Sequence, residues 1–92
     1  MASVTIRLPA ALSDRVAGVT SVDIQATSLA EALAGLGDLH PDLMPLIFRA
    51  PGELRPHVHV FVADRHVGLD VSRAAPLADG DEVRIVPSIA GG

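Results

Sequence analysis

The sequence contains no cysteine and no lysine, and its only aromatic residues besides histidine are Phe48 and Phe61. Without cysteine the chain has no disulfide and no thiolate to act as nucleophile or metal ligand. With a formal net charge of −4 and only two phenylalanines, the sequence offers no basic face and no platform on which bases could stack. We therefore expect no binding to nucleic acid. No apolar run is long enough for a membrane span, and residues 1–7 lack the features of a signal peptide. We therefore expect a cytoplasmic protein that does not bind membranes.

Catalytic motifs are also missing. No serine has a plausible neighbouring base, and no glycine-rich loop of the phosphate-binding type is present. Asp79 and Asp81 flank Gly80 and are typical of a turn, not of a pair of acid–base carboxylates. The sequence therefore predicts a protein with no catalytic site of its own.

A chain of 92 residues with 49% hydrophobic residues is long enough for one domain with one modest core. Val4, Ile6 and Leu8 alternate with polar residues and predict a first strand, and an alternating strand at 22–26 should pair with it in antiparallel fashion. Residues 9–19 fit either a helical turn or a wide loop. Leu77 is expected in the core, and the last strand is predicted at 82–86.

The main helix is predicted to begin after Ser28. Ser28 and Glu31 have the spacing of a capping box, and an apolar stripe follows at helical intervals. Gly37 stands where a left-handed helix end is expected. The stripe consists of Leu29, Ala32, Leu33 and Leu36.

After this helix, Pro41 can open a second short turn, with Leu43 and Leu46 inward. Residues 49–56 are predicted to form a loop with a type II turn at Pro51-Gly52.

The clearest strand is residues 57–63, followed by a turn at Asp64-Arg65 and a short strand at 66–69. Its valines should face the helix, and His59 and Phe61 should face the other way. One helix covers only one face of a sheet, so an outward Phe61 would be buried only by a partner or, alternatively, by a loop. The outer face is predicted to carry Thr5, Arg7, His59, Phe61, Arg84 and Val86.

The chain ends in Ser88, Ile89, Ala90, Gly91 and Gly92. Two glycines at a carboxyl terminus can enter a slot too narrow for side chains, and the six residues from Pro87 could reach about 20 Å when extended. We expect residues 1–86 to form the domain and residues 87–92 an extended, flexible tail. A frayed end is the ordinary alternative.

These features together resemble the β-grasp, ubiquitin-like sulfur carriers of the MoaD/ThiS family, and the likeness is strongest to the cysteine-biosynthesis carriers of the CysO type. The residues that carry it are the Pro51-Gly52 turn, the strand before Asp64, the run from Asp79 to Val83, and the Ala90-Gly91-Gly92 end. The resemblance implies an α+β fold: a mixed sheet of four to five strands, one main helix on one face, and a central final strand parallel to the first.

The resemblance also implies a function. An E1-like activating enzyme would use ATP to adenylate the Gly92 carboxylate, and a sulfur donor would displace AMP to leave a thiocarboxylate. A sulfur-acceptor enzyme, either cysteine-synthase-like or the large subunit of molybdopterin synthase, would then take the sulfur. Gly91 and residues 88–90 would thread into these partners, while Phe61, Val86, His59 and Arg84 would dock against them. The carrier would bind no cofactor and would be a monomer when free.

The missing lysine and cysteine fit this chemistry, because either side chain could attack an activated acyl group. Codon bias and short length are an equally ordinary explanation. Other roles stay open within the family: the small subunit of molybdopterin synthase, and a ubiquitin-like modifier of protein lysines. Outside it, the chain could be a β-grasp interaction module with an incidental Gly-Gly end.

Histidines are concentrated around the clearest strand. His57 and His59 share a strand face, and His66 or Asp64 could approach them to form a zinc site. The expectation from the sequence is that no metal is bound and that these histidines face solvent on the docking face.

Overall fold

A computed structural model of the chain describes residues 2–87 and shows a five-stranded mixed sheet with helices on one side. Ser88 to Gly92 lie outside the described residues, so the predictions for the threading tail stay predictions. The strands are β1 (Ala2–Arg7), β2 (Ser21–Ala26), β3 (Phe48–Ala50), β4 (Glu53–Leu54), β5 (Val58–Val62), β6 (Arg65–Val67) and β7 (Glu82–Pro87). The helices are α1 (Ala10–Ser13), α2 (Leu29–Leu39) and α3 (Met44–Ile47). Short 3₁₀ turns cover Asp14–Val16, Pro41–Leu43 and Val71–Arg73.

The main sheet has the order β2-β1-β7-β5-β6, and β3 pairs separately with β4. β7 is the central strand: it runs parallel to β1 and antiparallel to β5. The β1–β2 pair is antiparallel, as the alternating pattern predicts. The mixed β-grasp sheet with one main helix on one face is therefore confirmed.

Helix α2 begins with the predicted capping box. The Ser28 Oγ accepts a hydrogen bond from the Glu31 amide at 3.1 Å, and the Glu31 carboxylate accepts one from the Thr27 amide at 3.0 Å. These bonds satisfy amide donors that have no partner inside the helix. All four residues of the predicted stripe are buried against the sheet.

The predicted end of this helix at Gly37 is wrong. The helix continues to Leu39 and is closed by His40, whose amide bonds the Leu36 carbonyl at 2.8 Å. Gly37 lies inside the helix and does not have a positive φ, unlike Gly18, Gly52 and Gly80. A Cβ at Gly37 would come within 2.8 Å of the Met44 Sδ, so the glycine permits close packing of the next turn.

Residues 9–19 form α1 and a 3₁₀ turn, which is the helical one of the two alternatives. Three other segments differ from the sequence-based expectation. The predicted loop at 49–56 contains the β3–β4 pair, with Gly52 at φ 75° in the predicted turn. After the tight turn the strand runs over Arg65–Val67, not over 66–69. Between the helices, Leu43 is fully buried as predicted, but Leu46 is only half-buried and Ile47 takes the inward position.

Candidate docking face and carboxyl-terminal strand

The sheet surface opposite α2 carries polar, charged and aromatic side chains. Register places Arg7 beside Arg84, Arg84 beside Phe61, and Phe61 beside His66, in one row across four strands. On the same face His59 lies opposite Val86. The four predicted docking residues, Phe61, Val86, His59 and Arg84, are therefore together on one surface, which we call the outer face.

Phe61 is half-buried on this outer face, whereas its strand neighbours Val60 and Val62 are buried below. The Arg84 guanidinium carbon lies 5.2 Å from the centre of the Phe61 ring, within the range of a cation–π contact. The His66 ring packs at 5.1 Å from the other side. Side chains of neighbouring strands thus support the ring, and part of its surface still faces outward.

Two of the predicted histidines meet and the third does not join them. The His59 Nδ1 and the His66 Nε2 are 3.0 Å apart, so one ring donates and the other accepts in a hydrogen bond. His57 lines a different cavity, next to Pro87. Within residues 2–87 no three His, Cys, Asp or Glu side chains come close enough together to hold a metal ion.

Glu82 lies between Arg7 and Arg84 on the outer face. Its carboxylate accepts a hydrogen bond from the Arg7 Nε at 2.9 Å, and its other oxygen is 3.9 Å from the Arg84 Nε. All three side chains are substantially exposed, so solvent screens these pairs. The carboxylate therefore contacts two guanidinium groups, and one of them, that of Arg84, lies over the Phe61 ring.

The turn before β7 fixes where this strand starts. The Asp79 carboxylate accepts a hydrogen bond from the Ser3 amide at 2.7 Å, and the Asp81 carboxylate accepts one from the Ala78 amide at 2.8 Å. Gly80 has φ 87° and its amide bonds the Ser3 carbonyl. The two aspartates are turn residues, as the sequence predicts.

β7 ends beside a small apolar cavity of about 190 Å³ that the sequence did not reveal. Pro87 pairs with Val58, and both line the cavity. It forms where α1 and α3 approach the end of the sheet, a juxtaposition of segments far apart in sequence. The remaining lining residues are Pro9, Ala11, Leu12, Arg15, Leu46, His57 and Ile85.

Comparison with known proteins agrees with this geometry. The sequence profile of the ThiS family matches residues 6–92, which is nearly the whole chain. The chain belongs to the ThiS family. It is a sulfur carrier of the ubiquitin-like β-grasp type, similar to CysO, as the resemblance in its sequence implies.

Relatives and solved structures cover this ThiS-family chain almost completely. The sulfur carrier protein CysO of Mycobacterium tuberculosis is 29% identical over 92 residues, covering 98% of this chain and 99% of CysO. The Amycolatopsis orientalis BexX/CysO complex contains a chain that superposes with a TM-score of 0.81 at 27% identity, covering 97% of this chain and 99% of that one. SAMP1 from Haloferax volcanii, a small archaeal modifier protein, has a TM-score of 0.79 at 30% identity, with 98% and 99% covered.

None of the helices described is long and apolar enough to cross a membrane.

Proposed function

We propose that this ThiS-family protein carries sulfur as a thiocarboxylate on Gly92. An E1-like activating enzyme adenylates the Gly92 carboxylate with ATP, and pyrophosphate leaves. A sulfur donor then attacks the acyl carbon and displaces AMP. The loaded carrier delivers its sulfur to an acceptor enzyme, in the formation of cysteine or a related sulfur metabolite, and it catalyses none of these steps.

The observation that carries this proposal is the position of β7. β1 pairs with the strand from Glu82 to Arg84, and β5 pairs with it from Val83 to its end at Pro87. Five residues later the sequence reaches Gly92, and the ThiS-family match extends to that residue. A partner that binds the sheet would therefore hold the start of the carboxyl-terminal segment in a defined position.

Residues 88–90 and Gly91 are proposed to enter the partner's active site. Without a Cβ at positions 91 and 92, an enzyme can close around the backbone and reach the acyl carbon from either side. The missing cysteine and lysine support the same chemistry, because no side-chain thiolate or amine of this chain can attack the activated carbonyl.

The outer face is the proposed docking surface for both enzymes. Phe61 and Val86 offer apolar area, with 38% of Val86 exposed, and Arg84 and His59 offer polar groups around it. A half-exposed aromatic beside an arginine is typical of the residues that dominate binding energy at interfaces. The similar CysO of Amycolatopsis orientalis was solved in a complex with BexX, which supports docking to another molecule.

A second function is favoured by one comparison. SAMP1, at 30% identity and a TM-score of 0.79, is a small archaeal modifier protein. The same adenylated Gly92 could be transferred to the ε-amine of a lysine on a target protein, with release of AMP. Because this chain has no lysine, it would not form lysine-linked chains with itself.

The test is intact mass spectrometry after incubation with an E1-like activating enzyme, ATP and a sulfur donor. A carrier gains the mass difference of one oxygen replaced by sulfur, and alkylation of the terminal sulfur then adds the mass of one alkyl group. A modifier instead appears as a covalent adduct on other proteins in a cell extract. An unchanged mass with an enzyme that loads a known ThiS-family carrier would refute both functions.

The matched pair of variants is Gly92→Ala and Gly68→Ala. Gly68 has no positive φ and open space around its Cα, so alanine there should leave the fold and the sulfur loading unchanged. Gly92→Ala should abolish or strongly reduce loading without altering the melting temperature. Equal loading of the two variants would contradict the proposed role of Gly92.

A further inference from the structure

The sheet has an open edge at β6, on the side away from β2. Antiparallel partners alternate between residues whose backbone groups bond each other and residues whose groups point away. The two-residue turn at Ala63 and Asp64 makes Val62 and Arg65 a bonded pair, so the next pair, Phe61 and His66, is not bonded. The His66 amide and carbonyl therefore point outward from the sheet edge.

A cavity of about 420 Å³ lies beside this edge, between β6 and the segment that follows it. Arg65 pairs with Val62, and Val67 pairs with Val60. Because Val60 and Val62 are buried on the helix side of the sheet, the side chains of Arg65 and Val67 are on that side too. Helix α2 contacts β2 and the Val71–Arg73 turn, and it leaves this part of the sheet to the chain after β6. The lining residues are Val62, Arg65, His66, Val67, Gly68, Leu69, Asp70, Arg73, Ala74 and Ala75.

The far wall of the cavity is held in place by hydrogen bonds to the β3–β4 pair. The Leu54 amide bonds the Leu69 carbonyl at 2.8 Å, and the Val71 amide bonds the Gly52 carbonyl at 3.0 Å. Val71 is buried, which anchors the turn in the core. The cavity is therefore a preformed feature between two fixed walls.

The charge of this region is positive although the whole chain has a formal charge of −4. Within residues 2–87 neither Arg65 nor Arg73 forms a salt bridge. The one acid in the lining, Asp70, accepts hydrogen bonds from the Ser72 hydroxyl and amide. These bonds, together with the charge of Arg73, lower the pKa of Asp70. Arg65 and Arg73 are thus available to carboxylates from another molecule.

We propose that an extended, carboxylate-bearing segment of a partner protein adds to β6 as a sixth strand. Its backbone would bond the outward amide and carbonyl of His66, and alternate side chains would enter the cavity. Its carboxylates would pair with Arg65 and Arg73, while Leu69, which is 44% exposed, would contact its apolar residues. This site uses none of the side chains proposed for docking the activating enzyme, so it does not depend on the proposed function.

The test is an NMR titration of the full chain with a capped eight-residue peptide that alternates valine and glutamate, at up to millimolar concentration. We expect amide shifts to concentrate at residues 64–75, with cross-strand contacts between the peptide and the His66 amide. A peptide that alternates valine and lysine should bind at least tenfold more weakly. Shifts that centre on Phe61 and Val86, equal binding of both peptides, or no specific shifts would overturn the proposal.

Variants of the protein separate the contribution of the β6 backbone to peptide binding from the contribution of the charged side chains. His66→Pro removes the outward amide and leaves the bonds to β5 intact, and His66→Ala is its control because it keeps the amide. We expect His66→Pro to abolish peptide binding and His66→Ala to retain it. If His66→Pro does not fold, the charge variants decide the matter alone.

For the charges, Arg65→Glu combined with Arg73→Glu should weaken binding of the glutamate peptide about tenfold, the effect of two exposed ion pairs. Arg15→Glu is the control, since Arg15 is exposed and lines a cavity at the other end of the sheet. Arg65→Glu alone changes the formal charge as much as Arg15→Glu does, so an equal loss of binding in these two single variants would reduce the effect to net charge and overturn the site.

Discussion

The two faces of β5 have different roles although they are built from adjacent residues. Val58, Val60 and Val62 are at most 5% exposed and pack toward the helix side. His59 and Phe61, which alternate with them, are half-buried on the outer face and contact other side chains of the sheet. One face is filled by the domain itself, and the other leaves apolar and cationic groups for another molecule.

This difference follows from having one main helix. Helix α2 buries Leu29, Leu33 and Leu36 against one side of the sheet, and nothing comparable covers the outer face in residues 2–87. Stability should therefore depend on the inner face, whereas substitutions on the outer face should be tolerated by the fold. Recognition residues can then differ between proteins that share this fold.

The largest effect is expected at Leu33, which is fully buried beneath the sheet. Leu33→Ala leaves a cavity in a core that cannot collapse fully, and should lower the free energy of unfolding by about 2 to 5 kcal/mol. Urea unfolding followed by circular dichroism measures this. A loss below about half a kcal/mol would mean that the inner face is not the main source of stability.

A smaller effect on stability is expected at Phe61. Phe61→Ala removes the contacts with Arg84 and His66 and should cost about 1 kcal/mol, in the range of cross-strand and cation–π pairs. If the outer face is a docking surface, the same substitution should weaken binding to the activating enzyme by more than this amount, measured by calorimetry. Unchanged binding with a drop in stability as large as that of Leu33→Ala would place Phe61 functionally in the core.

The contrast between the faces could be predicted from the sequence because it depends on local pattern. Alternation along β5 and the capping box at Ser28 and Glu31 are short-range signals, and the structure confirms both. The parallel pairing of β7 with β1 has no such signal. It came from the family resemblance, since strand order depends on contacts between distant segments.

The wrong predictions have their origin in long-range packing. A glycine at position 37 is locally typical of a helix end, but here the glycine lies inside the helix and makes room for Met44. The cavity beside β6 depends on bonds from Leu69 and Val71 to the β3–β4 pair, which was predicted to be a loop. The four docking residues share a face as expected, but their role, like that of Gly91 and Gly92, stays a prediction.

The smallest effect is expected at Glu82, which lies between Arg7 and Arg84 on the outer face. Glu82→Gln keeps the size of the side chain and removes the charge. Because all three groups are exposed, we expect a stability change below about 1 kcal/mol that shrinks further in high salt. Thermal unfolding at low and high ionic strength measures both effects.

The same substitution should act differently on binding. Without the Glu82 carboxylate, Arg7 and Arg84 lose their acidic neighbour, and the outer face gains positive charge beside Phe61. Binding to an acidic partner surface should then become faster at low ionic strength, because charge complementarity acts mainly on the association rate. Asp23→Asn is a control, since Asp23 accepts a hydrogen bond from the Thr5 hydroxyl elsewhere on this sheet. If Glu82→Gln lowered stability as much as Leu33→Ala, the outer face would hold the fold together, and the division between the two faces would be wrong.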